Sequence, residues 1–283
     1  MKKITRKDLI NLEIYLSVLI KSLNMDINEI YKFSYDFLVD ISKNVVTKEE
    51  INDFIENVDA DNCNCISGAF EMLLVTLQDF QMYPKVINYA GRKEEIKNYI
   101  HFPDLSYCAN LDAKELSDYF ISKYNSNSKR CWLQYCKGII SGAKFLSQFR
   151  DYNKFKETCD AFNTSDTTRE AYALFLSTKI NNMGFAIACN WLKELGYKNY
   201  PKPDVHMKDI CFAFGLIDEK KNDIDCFEAM IKVARICNVD PYKLDKVWWL
   251  ICSGNFYRYN KQLSNSQKNK EKFIDCIVNE FNQ

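Results

Sequence analysis

The sequence predicts a mainly all-α protein in two helical lobes, and three observations carry the prediction. Glycine and proline are scarce, at 8 and 5 in 283 residues, so few positions interrupt a helix. Apolar residues recur mostly at spacings of three and four, the period of one helix face, and strand-like alternation never persists. Helix-start signatures punctuate the chain, as in Thr47-x-x-Glu50, where hydroxyl and carboxylate each satisfy an otherwise orphaned amide. With 47% apolar and 14% aromatic residues, a chain of this length buries a substantial core rich in Phe and Tyr.

Over the first hundred residues the pattern places amphipathic helices at 7–23, 26–44, 48–57, 66–81 and 92–100, and leaves room for a short β-structure. The loop 101–112, HFPDLSYCANLD, marks a boundary between an N-terminal helical region, 1–112, and a second region, 113–283, whose C-terminal helix is free to pack back on the first. His101, in that loop, reads as a local hydrogen-bonding residue. Between 130 and 148, Gly138 and Gly142 share a helix face and predict close packing against another backbone. Thr167-x-x-Glu170 predicts the start of a helix at 168–180, Asp225-x-x-Glu228 one at 226–237, and Asp240-Pro241 a strong helix to about 252.

Composition narrows the function classes. The longest apolar runs, such as LLVTL at 73–77, are too short to cross a bilayer, and MKKITRKDL lacks the apolar stretch of a signal peptide. The expectation is a soluble, cytoplasmic protein without a membrane partner. Twelve scattered cysteines, several of them on apolar helix faces, read as reduced core residues. Cys63-x-Cys65 is the nearest approach to a metal signature, but it lacks a matching histidine or second pair, so no metal is expected. Thirty-eight basic and thirty-eight acidic side chains cancel, which removes any global basic field. Only 123–156, with Lys129, Arg130, Lys137 and Lys144, is locally basic, as a phosphate-tracking stripe or a solvated helix face.

The chemistry concentrates in YPKPDVHMKDI, 200–210, where two of the five prolines precede an aspartate and one of the two histidines. Before it, a helix ends at Asn181-Asn182, a turn passes through Met183 and Gly184, and a second helix runs from Phe185 to Leu195, stopped by Gly196. Gly184 is expected to meet a close backbone or a positive φ. The amides after it open a helix whose N-terminus favours an anion, for which a nucleic-acid phosphate is the natural candidate. Pro203 biases Lys202 away from helical geometry, so Asp204 stands at the start of a third helix reaching Gly215, where aspartate is in any case a favoured cap.

In this order of hairpin, helix, loop and Pro-Asp at a helix start, the chain resembles the helix-hairpin-helix DNA glycosylase superfamily. Asn182-Met183-Gly184-Phe185-Ala186-Ile187-Ala188 matches the hairpin pattern. Lys202-Pro203-Asp204-Val205-His206-Met207 is very close to the run at the catalytic aspartate of the 8-oxoguanine glycosylase branch, and the twenty residues from Gly184 to Asp204 fit that family. The resemblance is specific over 165–215 and extends over 113–260.

The resemblance implies a cleft between two helical lobes, Asp204 as catalytic carboxylate, and Asn182, Gly184, Ala186 and His206 at DNA phosphates. It also implies a base pocket bordered by Trp248, Trp249 and Asp245; the adjacent tryptophans point about 100° apart, so at most one meets the base. Two departures matter. Asn182 replaces a glycine, though asparagine tolerates left-handed geometry. Ala186 stands where bifunctional members carry a lysine, so no Schiff base forms there and a monofunctional enzyme is implied. The cysteines lack the compact spacing of an iron-sulfur loop, leaving a monovalent cation at the hairpin as the one cofactor the resemblance allows. The expected function is a monomeric DNA N-glycosylase that flips a damaged or modified base out of double-stranded DNA and hydrolyses its glycosidic bond with an Asp-assisted water. The alternatives are an N-glycosidase acting on a free modified nucleoside or nucleotide, and an inactive nucleic-acid-binding protein of this fold.

Overall fold

The computed structural model describes residues 27–57, 63–79 and 83–281. The expected helix 7–23 lies outside them. The described chain is almost entirely helical, and it divides into two compact units: one holds the chain up to Asn57 and again from Pro203, the other the stretch between.

A 3₁₀ turn, Ile27–Glu29, leads into α1 (Ile30–Ser42), and α2 (Lys48–Glu56) follows. The expected capping box at its start is formed: Glu50 N donates to Thr47 Oγ1 at 3.2 Å and Thr47 N to Glu50 Oε2 at 2.8 Å.

The second unit contains α3 (Ile66–Thr76), α4 (Tyr83–Ile87), α5 (Tyr89–Tyr99), α6 (Leu105–Ala109), α7 (Ala113–Lys123), α8 (Lys129–Leu146), α9 (Tyr152–Phe162), α10 (Asp166–Lys179) and α11 (Phe185–Glu194). Its axis is α8, which buries Trp132, Tyr135, Ile139, Ala143 and Leu146 and packs against α3, α4, α6, α7 and α10. A helix apolar over most of its circumference has no stable place but the middle of a bundle. Gly138 and Gly142 do admit close neighbours: a Cβ at Gly138 would lie 2.9 Å from the Asn181 carbonyl oxygen, and one at Gly142 2.2 Å from Leu73 Cδ2.

The chain then returns to the first unit with α12 (Val205–Ala213), α13 (Asp223–Ile236), α14 (Pro241–Ser253), the two-residue strands β1 (Asn255–Phe256) and β2 (Lys261–Gln262), and α15 (Ser266–Phe281). Here α14 is the axis, packed by α1, α2, α12, α13 and α15. Phe273 of α15 lies against Phe33 and Phe37 of α1, with ring centroids 5.7 and 4.9 Å away. The strands pair antiparallel, Asn255 with Gln262 and Phe256 with Lys261, so the β-structure falls near the C-terminus and not in the first hundred residues, where none occurs among those described.

Three expectations need correction. The stretch 101–112 is not all loop: residues 105–109 form α6, which packs on α8, and the Cys108 thiol donates to Ile100 O at 2.8 Å. The compact units divide after 57 and 202 because α1 and α2 find their core partners in 205–281. Helix α10 is capped by Ser165, whose hydroxyl accepts the Thr168 amide, and not by Thr167. Helix α13 is capped by Asn222, to which Asp225 itself donates its amide. His101 sits at φ +54° with its ring stacked on Tyr107 at 3.9 Å, a local structural role. No helix among the described residues is long and apolar enough to cross a membrane.

Candidate active site

The hairpin belongs to the unit built on α8, and α8 is its bed. Asn181 N donates to Ser141 Oγ at 2.8 Å, one turn beyond Gly138, whose missing side chain admits the Asn181 carbonyl. Asn182 Nδ2 donates to Leu77 O at 3.2 Å, and Met183 is buried beneath the turn. Asn182 takes the left-handed conformation, φ +62°, as its tolerance for that region predicts. Gly184 does not: its φ is −76°, and a Cβ there would meet nothing within 4 Å. Neither internal reason for a glycine applies. It is exposed and provides no side-chain cap, so nothing of its own closes off the first turn of α11. Ala186, the second residue of α11, is half-buried.

Asp204 belongs to the other unit, as the N-cap of α12. Pro203 is buried and Lys202 is non-helical, so the chain enters α12 with Asp204 extended at φ −82°, ψ −177°. Its Oδ1 accepts from His206 N at 2.9 Å and Met207 N at 3.2 Å. Its Oδ2 has no hydrogen-bond or ion-pair partner among the described residues, and the side chain is half-exposed. The cap and the candidate catalyst are therefore one carboxylate used through two different oxygens.

Around it the C-terminal helix adds a charge cluster. Lys270 of α15, 8% exposed, donates to Asp209 Oδ2 at 2.5 Å and lies 3.2 Å from His206 Nδ1. Lys220 pairs with the other oxygen of Asp209 at 2.9 Å. Desolvation alone would raise the Asp209 carboxyl, but the two lysines overcome it and hold it below the usual range. Cys252 of α14 reports on the neighbourhood: burial pushes its thiol up to about 12, with Lys270 pulling it down and Asp204 and Asp209 adding to the rise.

The pocket residues separate. Trp248 is 0% exposed; its indole N–H donates to Ser34 Oγ at 2.9 Å and its ring stacks on Phe214, so it is core and not a pocket wall. Asp245, 2% exposed, is likewise inside the unit. Trp249 is part-exposed, edge-on to Tyr257 at 6.2 Å. Between these rings lies Lys246, 5% exposed, with its ammonium 5.4–5.9 Å from the ring centroids of Phe54, Tyr242, Trp249 and Tyr257.

Two solved structures are similar to this chain. One is the Methanocaldococcus jannaschii 8-oxoguanine glycosylase/lyase in complex with a 15mer DNA containing 8-oxoguanine, at TM-score 0.49 and 17% identity, covering 75% of this chain and 94% of that one. The other is the 8-oxoguanine DNA glycosylase of the same organism, at TM-score 0.48 and 16% identity, covering 81% of this chain and 94% of that one. No protein-family model and no curated protein matches the sequence.

Sequence reasoning missed Lys270, Asp209 and Lys220. Asp209 follows Asp204 on the same helix, but Lys270 stands more than sixty residues away in a polar stretch, KNKEKF, that reads as a solvated face. The available signal was the amphipathic pattern of α15, which puts Lys270, Phe273 and Ile277 on one stripe.

Proposed function

We propose that this chain is a monofunctional DNA N-glycosylase-like enzyme, with Asp204 as its catalytic carboxylate. The observation that supports this most is the condition of Asp204 within its Lys202–Met207 run: one oxygen fixed by two backbone amides, the other open. A carboxylate anchored in this way needs no reorganisation as charge develops beside it. When the bond between C1′ and the base nitrogen breaks, its electron pair leaves with the base, and positive charge spreads over C1′ and the ring oxygen. Oδ2 stabilises that charge and orients a water whose oxygen bonds to C1′; the water's proton passes to the carboxylate and from there to solvent or the departing base.

The hairpin serves the phosphate backbone. An exposed Gly184 at the mouth of α11 allows a phosphate oxygen to approach amides that carry the positive end of the helix dipole. Ile180 O accepts the Met183 amide and Asn181 O faces α8 at Gly138; each carbonyl oxygen keeps a second lone pair, so a monovalent cation at this turn is compatible with both, and the hydrolysis itself is assigned to Asp204 and water. Ala186 offers no amine, so base release proceeds without strand cleavage through that position. The partner is double-stranded DNA carrying a modified base, handled by a cytoplasmic monomer. The zero net charge favours a second reading, the same hydrolysis on a free modified nucleoside.

The test is a panel of modified-base duplexes and modified nucleosides, with released base read by mass. Asparagine caps a helix as well as aspartate does, so Asp204→Asn keeps α12 and removes only the charge. We expect it to lower base release by a factor on the order of 100 or more with an unchanged melting temperature. Equal release by wild type and variant sinks the mechanism. Borohydride should trap no covalent complex with DNA.

A further inference from the structure

Cys63-x-Cys65 is a motif that base release leaves unused. Its two sulfurs share one notch at the start of α3: a Cβ at Gly68 would touch both, 3.4 Å from Cys65 Sγ and 3.5 Å from Cys63 Sγ. Cys65 is extended, at φ −145° and ψ 159°, and residues two apart on an extended chain project to the same side. Cys63 Sγ in turn lies 4.0 Å from Cys65 O. Cys65 is exposed and Cys63 part-buried, so a small solute meets the Cys65 sulfur first.

The surroundings give the two sulfurs different chemistry. Cys65 Sγ accepts from Gly68 N at 3.4 Å and lies 3.2 Å from Ser67 Oγ, at the N-terminus of an eleven-residue helix. Donors and the positive end of a helix dipole favour thiolate over thiol. The Ser67 hydroxyl, then the Gly68 amide, accordingly hold the Cys65 thiol below its ordinary value. Burial raises that of Cys63, against a hydrogen bond from the Tyr152 hydroxyl that pulls it down. Thiolate is thus concentrated on the sulfur that solvent reaches, with a protonated thiol beside it.

We propose that Cys63 and Cys65 form a thiol–disulfide exchange site for small disulfides, in which Cys65 attacks and Cys63 resolves. The Cys65 thiolate bonds to one sulfur of the disulfide; the bond between its two sulfurs breaks, and the electron pair leaves on a small thiolate that takes a proton from solvent. Cys63 then gives its proton to solvent, its sulfur bonds to Cys65 Sγ, and the second small thiolate departs. One small disulfide is reduced to two thiols, and the two cysteines are oxidised to one internal disulfide. No residue of the Asp204 site takes part, so the proposal stands apart from the glycosylase reading.

Glutathione disulfide is the probe, added to the full chain near neutral pH, with samples quenched in acid and mapped by peptide mass without reduction. Wild type should pass through a transient glutathione adduct on Cys65 to a Cys63–Cys65 disulfide, two hydrogens lighter than the starting peptide. Cys63→Ser should stop at a stable adduct on Cys65. Cys65→Ser, which keeps a good cap on α3, should slow adduct formation on this peptide about tenfold or more, because Cys63 holds little thiolate. Ser67→Ala should slow the first step and leave the second unchanged. An adduct that persists in wild type as it does in Cys63→Ser removes Cys63 as the resolving thiol. Labelling of Cys131, Cys237 and Cys276 as fast as Cys65, or an adduct that forms equally fast in Cys65→Ser, overturns the site itself.

Discussion

At the scale of single residues, the same side chain type behaves differently according to a few neighbouring atoms, and the cysteines make this testable. All twelve are free thiols. Burial pushes several of them up, Cys108 and Cys159 to about 12, which leaves almost no thiolate on those two at neutral pH. Cys65 is the contrary case. It is exposed at the N-cap of α3, where a hydrogen bond with the Ser67 hydroxyl at 3.2 Å, followed by the Gly68 amide at 3.4 Å, holds its thiol below the ordinary value. Cys63, two residues earlier, goes the other way because it is partly buried. Iodoacetamide near neutral pH should therefore modify Cys65 first among the twelve, and Ser67→Ala should slow it; peptide mass mapping over time reads both. Modification of Cys131, Cys237 or Cys276 ahead of Cys65 would contradict this account. Asp204 was legible at this scale because a Pro-Asp pair before a helical pattern constrains φ, ψ and capping locally. Lys270 was not, because its partners are brought to it by tertiary packing. The choice between Trp248 and Trp249 had the same limit: the 100° between them is a property of any helix, but which one faces Ser34 depends on where α1 lies.

At the scale of elements, the hairpin owes its shape less to its own glycine than to Gly138 of α8. Gly184 takes a φ open to any residue, whereas the Gly138 position is filled by the Asn181 carbonyl and Leu77, and the Gly142 position by Leu73. Small residues four apart were readable as a close-packing face, but what packs there was not, since Asn181 lies more than forty residues downstream and Leu77 and Leu73 more than sixty upstream. Helix starts were readable to within a few residues and mis-set where several capping residues run together, as in Asn163-Thr164-Ser165-Asp166-Thr167-Thr168. There the winner is decided by which side chain reaches an amide three positions on, and Ser165 does. Glycine to alanine inside a helix ordinarily gains about 1 kcal/mol of propensity. At Gly138 the added methyl would sit 2.9 Å from a backbone oxygen that cannot swing aside as a side-chain tip does. Overpacking of this kind costs about 1–3 kcal/mol, so Gly138→Ala should be neutral to destabilising by about 2 kcal/mol where propensity alone predicts a gain. Calorimetric melting checks the sign, and a clear rise in melting temperature would mean that the hairpin yields easily and is not held by α8.

At the scale of the whole molecule, the all-α class followed from composition and period, but the division of the chain did not. A loop with His, Pro and Asp looked like a border, and helical periodicity does not say which helix a given apolar face will meet; α1 and α2 complete a core whose other half begins at residue 205. Charge is the global property with the most direct functional consequence. The basic and acidic side chains balance over the sequence, and much of the basic stretch is neutralised in place: Lys123 pairs with Glu95, Lys154 with Glu157 and Lys156 with Asp160. Such exposed pairs add little stability, but they remove cations that would otherwise displace counterions from DNA. On the function proposed above, the DNA backbone is held at a helix N-terminus, which donates hydrogen bonds without a full charge and so releases few counterions. The affinity for duplex DNA should then fall with salt along a shallow line, with a slope in log Kd against log salt of about 2–3, where each neutralised phosphate contributes about 0.9. Fluorescence anisotropy from 50 to 300 mM salt measures it. A slope near 6 would instead assign DNA binding to a lysine-rich face such as Lys129, Lys137 and Lys144 and take the hairpin out of the principal contact, whereas a shallow slope that Gly184→Asp abolishes along with binding would keep the hairpin at the phosphate.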